Sequence, residues 1–516
     1  MASSHHLSSE PSTPTSSIYT LSTVAEMKVP HHVAALLNDK GFVVDDDGVV
    51  TWAPNSRSHP RNWPLIRKTY DTCLICFLEF FMTLVSNTGS AAAESATHDG
   101  LDVSKETAII SFVFVYLMAQ GVGGLVFPPI AEWFGGRLIY LTATFVFALS
   151  NLMICIWPVL PVVVVMRTIS GFFSAILAVV ACGSLENMWD SQGRIFVIHA
   201  WISSAVLGLS LGPTIATYIS TSRWGWPFIY GFASIIAFFC AMLCLIMQES
   251  RPSRVLHIHV KRIGRRMKYA SLKADIGNAL PSVGHFVQTG LWHPVKLFFT
   301  DPLVTVVSIL GAYVYGIVYL FSEALTDVFV TGFHMTTRQA SLIYLATSVG
   351  IIFTFLPRFY DIHLAKQRQL TGRPPEPEDK LVGFYIAAPV QAIGYWFFAL
   401  TVPPLAGATS PWAAILSLVL IGYGVVEFDT TLSGYLTDTY TSHAASANAP
   451  MSFLRAVLSG VFPLFGSQIF RKVGANNALF LLAGLATCFC GVAAMFGVAG
   501  RQIRERSSRR VVGLPR

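Results

Sequence analysis

Six charged side chains stand out within the apolar stretches of this 516-residue chain, five of them well inside and Glu323 toward the outer end of its stretch. Arg167 sits in Arg167-Thr168-Ile169-Ser170-Gly171, Arg455 follows Ser452-Phe453-Leu454, and the acids are Glu79, Glu323, Glu427 and Asp429. A charge in the middle of a bilayer is costly, so each of these is a functional candidate. Burial raises the pKa of a carboxyl and a neighbouring guanidinium lowers it, so a carboxyl that exchanges one surrounding for the other can take up and release a proton near neutral pH. That is the chemistry of proton coupling, with Arg167, Glu79, Glu323 and Glu427 as candidates. The competing reading makes each charge half of a fixed interhelical pair, and Arg455 with Asp429 fit that reading best.

Positioning these groups requires membrane-spanning helices. Apolar stretches long enough to cross a hydrocarbon core of about 30 Å fall near 70–92, 107–130, 138–157, 160–183, 195–219, 227–247, 302–325, 339–357, 381–401, 411–434, 447–470 and 477–499. With the N-terminus placed in the cytoplasm, 28 of the 35 Lys and Arg residues fall inside and 5 outside, which predicts that both termini are cytoplasmic. The spacing predicts a tail over 1–69, a six-helix half over 70–247, a basic connector over 248–301, a second half over 302–499 and a basic tail over 500–516. Residues 1–25 carry twelve Ser or Thr and are expected to be disordered. The connector interleaves Arg251, Arg254, Lys261, Arg262, Arg265, Arg266, Lys268 and Lys273 with apolar residues, which suggests anionic inner-leaflet lipid as its partner near 251–273.

Composition sets the limits. With 53% hydrophobic and 12% charged residues and a mean hydropathy of +0.56, the chain is not a water-soluble enzyme. The net charge of +7 follows from topology, so no nucleic-acid partner is expected. All eight cysteines fall in the expected spans, which argues against disulfides and zinc; no metal, cofactor or catalytic cluster is expected.

Several motifs now point the same way. They are Pro60-Arg61-Asn62-Trp63, the Arg167 motif, Gly208-Leu-Ser-Leu-Gly212-Pro213, Pro374-Pro375-Glu376, Tyr435-Leu436-Thr437-Asp438-Thr439-Tyr440, Ala444-Ala445-Ser446-Ala447 and Phe462-Pro463-Leu464-Phe465. In this order they resemble the major facilitator superfamily, and within it the fungal twelve-span drug:proton antiporters, from about Pro60 to Gly497. The resemblance implies an all-α polytopic membrane protein with the major facilitator fold: twelve transmembrane helices in two six-helix halves around a central cavity.

It also implies that the arginine of the fourth-span motif, Arg167 here, takes part in proton coupling. Gly208, Gly212 and Pro213 match the fifth-span antiporter motif, although Ala216 and Thr217 stand where the family continues with glycines. Small residues four apart permit close helix approach and a proline invites a bend, so the three are candidates for conformational gating. Pro129-Ile130-Ala131-Glu132-Trp133-Phe134-Gly135-Gly136-Arg137 resembles the superfamily's second-to-third connector, with Gly136 replacing one arginine. There Glu132 and Arg137 are the expected latch between the halves, and Asp361 occupies the corresponding eighth-to-ninth position. Cavity contacts are expected from Asn87, Tyr315, Tyr319, Phe321 and Arg455. Of these, Tyr315 and Tyr319 share a helix face and offer flat apolar surface with a polar edge.

The function expected is proton-coupled export of small organic molecules by a monomeric carrier in the plasma membrane, with the vacuolar membrane as the alternative site. Polyamine or organic-acid export is the second reading. A non-transporting membrane sensor is a third, disfavoured because the C-terminal tail is short.

Overall fold

In hydrocarbon a chain can satisfy its backbone N–H and C=O groups only internally, so each apolar stretch folds as a helix. The computed structural model describes residue 35 and residues 37–45, 49–98, 100–266, 273–274, 292–372, 376–407, 410–440 and 444–512. Among these, twelve helices are long and apolar enough to cross a membrane. Spans 1 to 6 are Leu65–His98, Lys105–Pro128, Gly136–Ile156, Leu160–Met188, Ser191–Ser220 and Pro227–Ile246. Spans 7 to 12 are Pro302–Phe333, Thr337–Leu370, Pro377–Thr401, Trp412–Tyr440, Ser446–Gly466 and Ala475–Glu505. The end at which span 1 begins and span 12 finishes is called proximal here, and the other end distal.

Local chemistry sets the helix starts. Ser104 accepts from the Thr107 amide at 3.2 Å, Asp190 from Gly193 at 3.1 Å and Asp301 from Leu303 at 3.0 Å, each satisfying an amide that has no partner within its own helix. Span 8 runs on past the expected end at 357 to Leu370, so Arg358 and Asp361 lie on a membrane helix rather than in a connector.

Two irregularities matter for the site. Span 1 is interrupted at Thr88, between Leu65–Asn87 and Gly89–His98, and span 2 contains a π-helical turn over Ile110–Phe114.

The two halves pack alike. In the first, the most extensive pairings are span 1 with 5, 2 with 4, 3 with 6 and 3 with 4. The second repeats them as 7 with 11, 8 with 10, 9 with 12 and 9 with 10. Spans 2 and 11, and spans 5 and 8, carry the largest contacts between halves.

The spans belong to one unit, His59–Val255 with Ile276–Arg516; Met1–Ser58 with Leu256–Asp275 form another. In the smaller unit, β1 (Phe42–Val44) pairs antiparallel with β2 (Val49–Trp52), which pairs parallel with β3 (Lys273–Ala274). Leu37, Phe42 and Val50 cover Leu256, Val260 and Ile263 on one face of the helix Pro252–Arg266. Residues 42–44 and 49–52, within the expected tail over 1–69, therefore form strands, and these three apolar connector residues pack against them. Lys268 and the serine- and threonine-rich first 25 residues lie outside the described residues.

Candidate functional site

Spans 1, 2, 4 and 5 of the first half and spans 7, 10 and 11 of the second surround a cavity that is partly open to solvent. The polar groups on its wall include Glu79, Gln120, Trp201, Asp429, Arg455 and Ser459, among aromatic and apolar side chains such as Tyr315, Tyr319, Leu117 and Ile202. A largely apolar pocket with a few convergent polar groups is the usual make-up of a small-molecule site.

Glu79 is 4% exposed, and its Oε2 accepts from Trp201 Nε1 at 3.2 Å. The contact is built by two helix stripes. Glu79, Thr83 and Asn87 follow one another at four-residue steps on span 1; Trp201, Gly208 and Gly212 lie on one stripe of span 5. A Cβ on Gly208 would run into the Phe80 carbonyl and Thr83 Oγ1, and one on Gly212 would lie 2.6 Å from Leu84 O. Asn87 Nδ2 donates to Leu209 O at 2.6 Å. The glycines thus bring the two backbones together, and Trp201, two turns earlier on that face, meets the carboxylate. Pro213 lies within the same helix, one residue beyond this close approach.

Asp429 and Arg455 form the second polar element. Arg455 Nη1 lies 3.3 Å from both Asp429 oxygens, and the Tyr315 hydroxyl donates to Asp429 Oδ2 at 2.8 Å. The guanidinium also lies 4.4 Å over the Tyr315 ring. Tyr319 is bonded across the halves to Ser86 at 2.7 Å.

Arg167 does not line the cavity. It is fully buried, and its Nε donates to Phe112 O at 2.7 Å, Nη1 to Val85 O at 3.4 Å and Nη2 to Ser86 O at 3.3 Å. Two of these carbonyls end the first segment of span 1, and the third belongs to the π-helical turn of span 2. Helix ends leave carbonyls without intrahelical partners and carry partial negative charge, which suits a cation. The ring of Tyr116 lies 4.1 Å from the guanidinium. Among the described residues no carboxylate forms an ion pair with Arg167.

The other candidate acids lie elsewhere. Glu323 is 3.9 Å from Lys105 at the distal end, joining spans 7 and 2. Glu427 is fully buried and accepts from Arg358 Nη2 at 2.8 Å, while Arg358 Nη1 lies 3.2 Å from Asp361. This three-residue cluster ties span 8 to span 10 inside the second half. Of the expected cavity residues, Tyr315, Tyr319 and Arg455 line it. Asn87 is held in the seam between spans 1 and 5, and Phe321 packs edge-on against Tyr395 and Phe398, with ring centroids 6.1 Å away in each case.

Arg137 also departs from expectation. Its Nη2 donates to Leu245 O at 2.7 Å, and Glu249 accepts from the amides of Gly136 and Arg137, both at 3.1 Å. These bonds join the start of span 3 to the end of span 6 within one half, because each helix end offers groups without an intrahelical partner. The side chain of Glu132 lies outside the described residues, as do Pro374 and Pro375.

Contacts between the halves at the proximal end centre on His199, which the motifs do not mark. Its Nε2 is 3.0 Å from Thr354 Oγ1 of span 8 and its Nδ1 3.2 Å from Thr430 Oγ1 of span 10. At the distal end Arg338 donates to Thr221 Oγ1 at 2.9 Å and to Thr221 O at 2.8 Å. Among the described residues no group of three His, Cys, Asp or Glu side chains could hold a metal ion.

Twelve spans in two halves of like packing, with a cavity between them, define a polytopic membrane carrier. The family model of the Major Facilitator Superfamily matches residues 74–463, and the chain belongs to that superfamily of membrane transporters. It is 28% identical to a multidrug transporter of Candida glabrata, over 90% of this chain and 79% of that protein. It is 26% identical to a citrinin biosynthesis cluster transporter of Monascus ruber, over 90% of this chain and 92% of that one. Among solved structures, a partially occluded, inward-open xylose transporter from E. coli aligns with a TM-score of 0.56 at 16% identity, covering 83% of this chain and 98% of that one, and shares the fold.

Proposed function

We propose that the protein exports small organic molecules, either xenobiotics or secondary metabolites, in exchange for protons, by alternating access to the central cavity. The observation that carries this reading is Glu79, a buried carboxylate on the cavity wall that accepts a hydrogen bond from the neutral N–H donor of Trp201. A carboxylate so placed can hold a proton or face a ligand, but the two compete. With the cavity open inward, substrate binds opposite the ionised carboxylate; the halves rock, and a proton entering from outside displaces the substrate. The multidrug and biosynthesis-cluster relatives support the substrate class.

In this reading the closely packed Gly208 and Gly212 seam, with Pro213 beside it, moves as a joint, and the Arg358, Asp361 and Glu427 cluster holds the second half rigid while it moves. The termini lie in the cytoplasm, the membrane is the plasma membrane and the carrier works as a monomer. Arg167 and Arg455 are already bonded within the protein, which weighs against an anion site for organic acids.

The test uses inside-out vesicles from cells expressing the full chain. An inside-acid pH gradient should drive accumulation of a fluorescent dye that a protonophore releases. Accumulation that ignores the gradient would refute proton coupling.

A further inference from the structure

We infer that the helix Pro252–Arg266 is a membrane-surface helix whose apolar face is covered by the N-terminal segment, and that anionic lipid competes with that segment for the helix. The inference is independent of what the cavity carries.

The helix has the make-up of one that lies in the plane of a bilayer surface, apolar along one stripe and basic on the other side. Leu256, Val260 and Ile263 follow one another at four- and three-residue steps. Its 15 residues include Arg254, Lys261, Arg262, Arg265 and Arg266 and no acid. Lys261, Arg262 and Arg265 are exposed and Arg254 is half-buried. Among the described residues none of these four forms an ion pair, so the basic side of the helix has no counter-charge. Its place in the chain brings it to the membrane. Span 6 ends at Ile246 and the helix starts at Pro252. The residues between them, 247–251, reach at most about 18 Å. Glu249 among them is fastened to the amides of Gly136 and Arg137 at the start of span 3, both at 3.1 Å, and to the Arg251 amide at 3.0 Å.

The cover over the apolar stripe is small. β1, β2 and β3 have 3, 4 and 2 residues. Leu37, Phe42 and Val50 are the buried side chains they and the preceding turn lay on the helix, with the Phe42 ring 5.3 Å from that of Trp52 and 5.7 Å from that of His259. A hairpin of this length is marginally stable at best, and a segment with so few buried apolar side chains opens locally at little cost.

Charge decides what opens it. The covering segment 37–52 carries Asp39, Asp45, Asp46 and Asp47 against Lys40, whereas the helix is basic throughout. An anionic surface therefore attracts the helix and repels its cover. Once uncovered, the helix can bury the stripe of Leu256, Val260 and Ile263 among acyl chains while its long basic side chains reach the headgroups. Anionic lipid thus binds the uncovered form better, and that difference shifts the balance toward it. Opening also breaks the pairing of Val49 with Lys273 and of Val50 with Ala274, which folds the connector back on the N-terminal segment.

Hydrogen exchange on the full-length protein in nanodiscs follows the strands and the helix separately. In phosphatidylcholine the amides of both should be protected. Adding phosphatidylserine should speed exchange in residues 42–44 and 49–52 by about tenfold with the helix still protected, and high salt should reverse the change. Combining Arg254→Gln, Lys261→Gln, Arg262→Gln and Arg265→Gln should leave the strands protected in both lipids. Phe42→Asp should release the strands in either lipid, with the helix then protected only where phosphatidylserine is present. Strand exchange that ignores phosphatidylserine in the wild type overturns the inference, and that comparison needs no variant to fold. It is equally overturned if the fourfold Gln variant responds to phosphatidylserine as the wild type does, or if the helix loses protection together with the strands.

Discussion

The indole N–H of Trp201 donates to Glu79 Oε2 across 3.2 Å, fastening span 5 to span 1 at the cavity wall. Trp201→Phe keeps the ring and removes the donor. A hydrogen bond to a charged group contributes about 1.5–3 kcal/mol, so the transport rate under a fixed pH gradient should fall about tenfold or more. Because both side chains act through one bond, adding Trp201→Phe to Glu79→Gln should cost little beyond Glu79→Gln alone. Fully additive losses would show that the two side chains act separately.

Arg167 replaces an ion-pair partner with three carbonyls, two at the break in span 1 and one in the π-helical turn of span 2. Removing one partner of a buried, charged network costs about 3–5 kcal/mol. Arg167→Ala should lower the melting temperature in detergent and abolish transport. Arg167→Lys keeps the charge but lacks the planar fork, so it should recover stability only in part. A melting temperature unaffected by Arg167→Ala would show that the carbonyl nest does not hold spans 1, 2 and 4 together.

The Asp429 and Arg455 pair predicts an asymmetry between single and double variants. Arg455→Met alone leaves a buried carboxylate without its cation and should destabilise by about 3–5 kcal/mol. Asp429→Asn combined with Arg455→Met removes both charges and should regain most of that loss, read from chemical denaturation in mild detergent. A double variant as unstable as the sum of the singles would mean that the two residues do not act as a pair.

Much of this was legible in the chain. Hydropathy placed twelve spans whose ends fall within several residues of the helices at most positions, because length and apolarity alone decide whether a helix can cross. The larger departures come where charge continues along a helix, as at Arg358 and Asp361 on span 8, which hydropathy ends at 357. Intramembrane charges located Glu79, Asp429 and Arg455, but their partners depend on which stripes meet, and that is tertiary information. Trp201 carried a signal in being two turns before Gly208, on the stripe that small residues marked for close approach. His199 carried none, since a histidine in an apolar run does not reveal that hydroxyls from two other helices surround it. Arg167 was found as a charge, yet its carbonyl partners come from a helix break and a π-helical turn that residue types do not announce.

The seam between spans 1 and 5 yields a steric prediction. A Cβ at position 208 would overlap the Phe80 carbonyl and Thr83 Oγ1, and the backbone cannot yield as a side chain can. Gly208→Ala should cost about 1–3 kcal/mol, the range for overpacking, and Gly208→Val should prevent transport with the protein still in the membrane. Thr83→Ala, which removes one of the two clashing groups, should restore part of the Gly208→Ala loss. Restoration by Thr83→Ala is what separates local crowding from a general effect on helix bending, and its failure would remove the crowding explanation.

His199 tests the closure between the halves at the proximal end. Its two ring nitrogens meet Thr354 of span 8 and Thr430 of span 10 at 3.0 and 3.2 Å, and Ser203, one turn further along span 5, is buried at the same contact. Each neutral hydrogen bond contributes about 0.5–1.5 kcal/mol, so His199→Ala should shift the equilibrium toward separated halves by about 1–2 kcal/mol, or roughly 5- to 30-fold. Ser203→Cys, in a background with the eight native cysteines replaced, reports that separation through its rate of labelling by a water-soluble maleimide. The rate should rise by a similar factor in His199→Ala, and Thr354→Val should produce part of the same rise. Once His199 is gone, adding Thr354→Val should change little, since the bond it would break is already absent. If labelling at position 203 is insensitive to both substitutions, the histidine packs at this interface without holding it closed.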